Sequence, residues 1–451
     1  MPLSLTDLES LQAEAHADDV AIDLATMSLW TAEEAKAYFE NGGEDSAAAA
    51  KARGTARLQA GELEAAVAEY RRAIEIGANT VELSAALHSN LSLALLRCGK
   101  PAEAAAAAEA CVAERPSWHK AHYRLGDARF EARDYAGARA AYAAALELVR
   151  SDHAEGGPGG AYAEVAAALK LADEAAAGGV FLRQLMPGRD IALRAANSTE
   201  EMIFGAARQM KNIVYLVGDA HTRECYVADA CWDVKGILAC ARRLKVKPVG
   251  AIATHYHFDH TGGVPPGQFR GMIFGPFGGG ADARVPGLHE MAADGAAAHA
   301  HAAEVARVAA QCQLAEGEIV PLTQGQLLPI GAHVIEVLHT PGHSGGSVCL
   351  CVRAREGAPP AAAAEPSTSG TTPTALLVGD TIFPGSCGRL DLPDSDTAAM
   401  FDSLQKLREL PDDLSVYPGH SYGGEKTTIK AEKANGLLRP FTRAQWRQMH
   451  G

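Results

Sequence analysis

Four side chains of metal-binding type stand within six residues: His255, His257, Asp259 and His260, directly after the apolar run Val249–Ala253. In extended backbone alternate side chains share a face, so His255 and His257 can reach one ion. Asp259 and His260 follow at the turn into a helix and can address a second. Imidazole and carboxylate without thiolate suit zinc or iron. Three more donors complete the set. His343 comes directly after the run Val334–Leu338, Asp380 ends the run Leu376–Asp380, and His420 follows Leu414–Val416. Each lies just past an expected strand end, where α/β sites are built. Seven donors for two ions leave coordination positions open, which is the arrangement of a catalytic site and not of a closed structural one. Two adjacent ions lower the pKa of bound water toward ~7 and polarise a carbonyl.

The elements that must carry these donors are legible from about residue 180 onward. Short apolar runs occur at Ile213–Val217, Tyr226–Ala228, Val249–Ala253, Met272–Phe274, Val334–Leu338, Ser347–Val352 and Ala375–Val378. Helical patterns such as Asp233–Leu244 and Met400–Leu407 alternate with them, which predicts an α/β domain over 180–440. Residues 441–451 read as a C-terminal tail. Within the domain, 354–374 holds 18 Ala, Pro, Ser, Thr or Gly residues out of 21. Such a segment buries too little apolar surface to offset its ordering entropy and reads as a disordered insertion.

Upstream the period differs. Residues 47–152 divide into three helical hairpins that can be laid over one another. Gly54, Gly61, Ala66 and Tyr70 of the first match Ser92, Gly99, Ala104 and Ala108 of the second, and Gly126, Arg133, Ala138 and Tyr142 of the third. The alanines at 66, 104 and 138 are 38 and 34 residues apart. Small residues let antiparallel helices approach, and tyrosine fills the gap to the next pair. Residues 153–179 read as a linker, with breakers at Gly156–Gly160, and a capping helix at about 161–176. Residues 1–45 form an acidic segment with a capping box at Thr31–Glu34 opening a short helix to Glu40, ended by Asn41–Gly43.

Composition limits the function classes. The 451 residues correspond to about three units at ~150 residues each. A net charge of −14 opposes general phosphate binding, so no nucleic-acid partner is expected. No apolar stretch approaches ~18 residues, so none is expected to span a membrane. The nine cysteines are odd in number, scattered and without a CxxC pair, which excludes a disulfide framework and suits a reducing compartment. Residues 1–45 hold eleven acidic residues and one lysine, unlike a targeting peptide, and the expected location is cytoplasmic.

The motifs THYHFDHTGG (254–263), HTPGHSGG (339–346), VGDT (378–381) and YPGH (417–420), in that order, resemble those of the metallo-β-lactamase superfamily. The resemblance implies an αβ/βα sandwich over about 180–440 with a binuclear site between the sheets. It assigns one ion to His255, His257 and His343, the other to Asp259, His260 and His420, and Asp380 to both. Asp229, in VADA (227–230), matches a residue that supports the ligands without binding metal, and His339 is assigned the same kind of role. Asp259 and Asp380 are the expected catalytic carboxylates, Asp259 orienting the attacking hydroxide. The implied cofactors are two divalent ions, zinc with iron or a mixed pair as the alternative. The 47–152 repeats likewise resemble tetratricopeptide repeats.

Within the superfamily the chain is similar to glyoxalase II-like thioesterases and to persulfide dioxygenases, through GSCGRLD (385–391) and HSYGG (420–424). The first implies a thioester hydrolase working through metal-bound hydroxide, the second a mononuclear iron dioxygenase. Phe258 and Gly419 stand where the dioxygenases carry Ala, which favours the hydrolase. Thirty-one residues follow His420, fewer than the helical C-terminal domain of glyoxalase II, so S-lactoylglutathione does not follow as substrate. Arg389 and Tyr422 are the candidate substrate contacts. In the repeats, Lys51, Asn90, Lys120 and Arg124 match four of five positions of a carboxylate clamp that grips acidic chaperone tails, with Thr55 in place of the expected Asn. Two cations and an amide facing one groove suit a carboxylate pair. A scaffold with a vestigial lactamase-like domain is the alternative from another class, and the intact donor set counts against it.

Overall fold

A computed structural model describes residues 46–152, 160–275, 283–355, 368 and 371–450. The predicted capping box at 31–34, the helix to Glu40 and most of the 156–160 breaker cluster lie outside the described residues. The chain divides into two compact units between Ala176 and Ala177.

The first unit contains helices α1 (Ala47–Gln59), α2 (Leu63–Ile76), α3 (Val81–Arg97), α4 (Pro101–Glu114), α5 (His119–Glu131), α6 (Tyr135–Asp152) and α7 (Gly160–Ala177). Ser46 and Thr80 cap α1 and α3 through their hydroxyls, and Pro101 opens α4 where its missing N–H costs nothing. The pairs α1/α2, α3/α4 and α5/α6 share one detail. The turn residues Gly61, Gly99 and Arg133 are all left-handed, with φ of 77°, 71° and 63°. A Cβ at Gly54 would lie 2.8 Å from the Tyr70 ring, and one at Gly126 would lie 2.5 Å from the Tyr142 ring. The sixteen-residue Gly-to-Tyr spacing thus makes the same close helix contact in the first and third pairs.

The second unit stacks two six-stranded sheets. The first runs in the order β1 (Val180–Leu185), β2 (Val214–Asp219), β3 (Glu224–Ala228), β4 (Lys247–Ile252), β5 (Ala297–His301), β6 (Ile319–Leu322). The second runs β12 (Thr427–Thr428), β11 (Ser415–Pro418), β10 (Thr371–Gly379), β9 (Val348–Arg355), β8 (His333–His339), β7 (Leu327–Ile330). Strands β3 to β6 pair in parallel, as do β10 and β11. Alternation along β2 sorts the layers. Tyr215 and Val217 face the second sheet's Ile335, Val337, Leu350 and Val352, and together they form the core between the sheets. Val214 and Leu216 point the other way, toward helices α9 (Val234–Arg243), α12 (Leu288–Ala293) and α13 (Val305–Cys312). On the outer face of the second sheet, Cys349, Cys351, Leu376 and Val378 pack with Met400, Phe401 and Leu404 of α14 (Thr397–Arg408). The result is the four-layered αβ/βα sandwich expected. All nine cysteines are free thiols.

Three expectations differ from the structure. Met272–Phe274 is helical, the end of α11 (Gly267–Phe274), which packs against α8 (Ser198–Met210). A short apolar run is ambiguous by itself, and here burial of Ile273 and Phe274 in a helical cluster decides it. The ends of the 354–374 segment are strand. Ala354 and Arg355 pair with Thr372 and Thr371, so ladder bonds extend β9 and β10 beyond their apolar cores. Residues 356–367 and 369–370 lie outside the described residues. Arg443–His450, expected as a tail, is a helix whose buried Trp446 joins the α14 cluster and donates its indole N–H to Thr397 O at 2.7 Å. Among the described residues no helix is long and apolar enough to cross a membrane.

Candidate metal centre

The donors all sit just beyond strand ends. Asp229 follows β3, Thr254 and His255 follow β4, and the one-turn helix α10 (Phe258–Thr261) carries Asp259 and His260. From the second sheet, His343 lies in the loop after β8, Asp380 follows β10, and His420 follows β11. Backbone bonds register the two sheets at this edge: Val348 N–H donates to Thr254 O at 2.9 Å and Ile213 N–H to Gly419 O at 2.8 Å.

The donor atoms converge. His255, His257 and His343 form one three-donor group, Asp259, His260 and His420 another, and His255, His260 and Asp380 a third. Within each group the ligand atoms lie within 4.8 Å of one another. His257 Nδ1 is 3.0 Å from His255 Nε2 and 2.9 Å from His343 Nε2, and His260 Nε2 is 3.1 Å from His420 Nε2. Asp380 reaches both triads, with Oδ1 3.4 Å from His260 Nε2 and Oδ2 3.6 Å from both His343 Nε2 and His420 Nε2. Asp380 Oδ1 is buried and accepts no hydrogen bond.

The outer ring nitrogens are held by acceptors. His343 Nδ1 meets Arg389 O at 2.8 Å, His420 Nδ1 meets Met210 O at 2.7 Å, and His260 Nδ1 meets Asp229 Oδ2 at 2.9 Å. Thr254 donates both its N–H and its hydroxyl to Asp229, so its oxygen is left to accept from His255 Nδ1 at 3.1 Å. With Nδ1 protonated in each of these rings, the inward Nε2 carries a lone pair. Unshared lone pairs facing each other at about 3 Å, beside a buried unpartnered carboxylate oxygen, fit divalent cations.

The charges agree. Burial, reinforced by the other imidazoles, holds His255 well below the usual range and His257 at about 4. Burial would lower His260 as well, but the carboxylates of Asp380, Asp229 and Asp259 raise it to about 10, so with no cation bound its Nε2 takes a proton in place of the lone pair. Burial opposes ionisation of Asp259, yet His260 and His420 hold its carboxyl below the ordinary range. This half of the site therefore demands positive charge.

The other anticipated residues fall variously. Asp229 touches ligands and not the centre. His339 bonds Gly345 O at 3.0 Å and stacks on His301 at 3.9 Å, bracing the loop that carries His343. Arg389 is exposed and forked onto Asp391 at 2.8 and 2.9 Å, so its part in the site is its carbonyl. Tyr422 is 52% exposed, stacked on His420 at 4.6 Å. Burial and the two site carboxylates push its phenol up to about 12, so it stays a donor. In the helical unit Asn90, Lys120 and Arg124 are buried and Lys51 is half-buried. Thr55 donates to Lys51 O at 3.0 Å and lies 3.1 Å from the Tyr70 hydroxyl, so its hydroxyl is engaged inside the helix pair. Sequence inspection missed Asn212, Trp232 and Thr254, because none is a metal-ligand type.

No family model matches the chain. An uncharacterised protein of Aquifex aeolicus is 30% identical over 220 residues, 49% of this chain and 87% of that one. A hydroxyacylglutathione hydrolase of Nitrosomonas europaea is 28% identical over 192 residues, covering 42% of this chain and 53% of the relative. The C-terminal unit has the αβ/βα sandwich fold of the metallo-β-lactamase superfamily. The chain spans about half the length of the Nitrosomonas enzyme. A crystallised metallo-β-lactamase of Staphylococcus aureus aligns over 60% of this chain and 67% of its own, at 19% identity and a TM-score of 0.41.

Proposed function

We propose that the C-terminal unit is a binuclear metallohydrolase acting on thioesters. The observation that carries this is Asp380, whose two oxygens reach donors of both triads. His255, His257 and His343 would hold one ion, Asp259, His260 and His420 the other, and Asp380 both. Divalent ions bound there supply a water of lowered pKa and polarise the scissile carbonyl, zinc being the choice the N/O donor set suits best.

The chain supplies the rest. Asp259, ionised and held by His260 and His420, orients the attacking water. Tyr422 keeps its proton at neutral pH and donates to the substrate at the mouth. Among the described residues no general acid accompanies the cluster, and a thioester needs none, because a thiol of pKa about 8.5 leaves readily. The name of the Nitrosomonas relative supports this class, hydroxyacylglutathione being a thioester. Gly419 counts against the dioxygenase alternative, because a Cβ there would lie 2.7 Å from Asp380 Oδ1. The test is metal content with turnover on a thioester panel and on glutathione persulfide, oxygen consumption being followed. Two ions and thioester cleavage are expected; one iron with oxygen uptake would overturn the assignment.

We also propose that the helical unit is a tetratricopeptide array that docks an acidic C-terminal tail, such as that of a heat-shock chaperone. The repeated left-handed turns and Gly–Tyr contacts support the first part. For the second, Arg124 is buried against Asp127 at 3.8 Å with its Nε unpartnered, an arrangement that favours an additional carboxylate. Titration of the full chain with a peptide ending in acidic residues should give binding that Arg124→Ala abolishes. Absence of binding at high micromolar peptide would remove the idea.

A further inference from the structure

Asn212 lies just before β2 and is buried. Its carboxamide joins parts of the chain that are distant in sequence. The Trp232 indole N–H donates to Asn212 Oδ1 at 3.0 Å. With the oxygen occupied, the NH2 group faces the metal centre. Nδ2 donates to Asp259 Oδ2 at 3.2 Å and stands 3.4 Å from His420 Nε2 and 3.5 Å from His260 Nε2. An indole nitrogen is a donor only, so it admits one orientation of the amide. The flipped amide would set N–H against N–H and turn its oxygen toward a carboxylate.

Both partners are themselves held. Trp232 is fully buried, meets Phe258 edge-on at 6.0 Å, and its backbone N–H donates to Pro286 O at 2.9 Å. Asn212 forms a backbone bridge with His420.

We infer that Asn212 is a positioning residue for the Asp259–His260–His420 group, with Trp232 setting the direction of its amide. This rests on the two-ion site proposed above. The NH2 group has no lone pair to give a cation, so Asn212 adds no ligand. It restrains the Asp259 oxygen, leaving the carboxylate less freedom to turn from the ion.

The test is chelator competition and metal stoichiometry on the full-length, metal-loaded protein, with kcat and KM measured in parallel. Asn212→Ala should keep the ion of the His255–His257–His343 group and weaken the other by about 10- to 100-fold, the usual cost of losing a residue that supports a ligand. Its kcat should fall with KM unchanged. Trp232→Phe keeps the ring packing, loses the N–H and should shift the same affinity in the same direction, by less. Unchanged affinity for both ions in Asn212→Ala would overturn the inference. If that variant does not fold, unchanged affinity in Trp232→Phe overturns it instead. Wild-type protein holding a single ion would overturn the two-ion site itself, a distinguishable result.

Discussion

Gly419 presses directly against Asp380. A Cβ at position 419 would stand 2.7 Å from Asp380 Oδ1, 2.9 Å from His260 Cε1 and 3.0 Å from the Gly379 carbonyl carbon. His260 is held by Asp229 and the Gly379 carbonyl accepts from Gly419 N–H at 2.7 Å, so the unpartnered Asp380 carboxylate would have to move. Gly419→Ala should therefore lower kcat/KM by about 100-fold, since displacements near 1 Å cost on that order. Circular dichroism should remain that of the wild type. Wild-type turnover in this variant would mean that Asp380 tolerates displacement and does not serve both ions.

Asp229 accepts three hydrogen bonds, from Thr254 N–H, the Thr254 hydroxyl and His260 Nδ1. Asn in its place has one acceptor oxygen and presents N–H2 to groups that must themselves donate. Asp229→Asn should weaken metal affinity by about 10- to 100-fold through loss of the His260 tautomer. Isothermal titration of metal into the stripped protein measures this directly, and an unchanged isotherm would count against the assignment.

Metal removal should destabilise the C-terminal unit. Stripped of ions, the His255–His257–His343 lone pairs face one another at 2.9 and 3.0 Å. A ligand bound only by the folded state adds about 2.7 kcal/mol at a hundredfold excess over Kd. Thermal melts of chelated protein should show Tm rising with added zinc and levelling once both sites fill. A Tm indifferent to metal would contradict the site.

Glu304 supplies a pH test at a carboxyl outside the donor set. Its Oε1 accepts from Gly346 N–H at 2.8 Å, while Oε2 is buried without a partner. Burial raises its carboxyl above the ordinary 4.5. A carboxyl raised in the folded state takes up a proton on folding, so its contribution is fully present below the unfolded value and is lost as pH rises through the folded one. Glu304→Gln keeps an acceptor for Gly346 and removes the buried charge. The variant should melt at or above the wild type at pH 8, and any advantage should vanish below 4.5. A variant less stable only at pH 8 would show that the ionised form is favoured.

The sequence by itself determined which residues could bind metal and the order in which they occur. Donor type is a property of the side chain, and an apolar run followed by His-x-His or Pro-Gly-His marks a strand end without reference to the rest of the fold. The apolar run of β2 and the small-residue spacing of the helical hairpins were legible for the same reason. Only the tertiary structure decided what those residues meet. Met272–Phe274 became helix because its neighbours in α8 bury it that way. Arg389 contributes a carbonyl because Asp391 holds its guanidinium. Asn212, Trp232 and Thr254 enter the site because β2, β3 and β4 lie side by side. A neutral amide, an indole and a hydroxyl carry no metal-binding signal in a sequence; their role arises from the acceptor or donor that the fold sets 3 Å away.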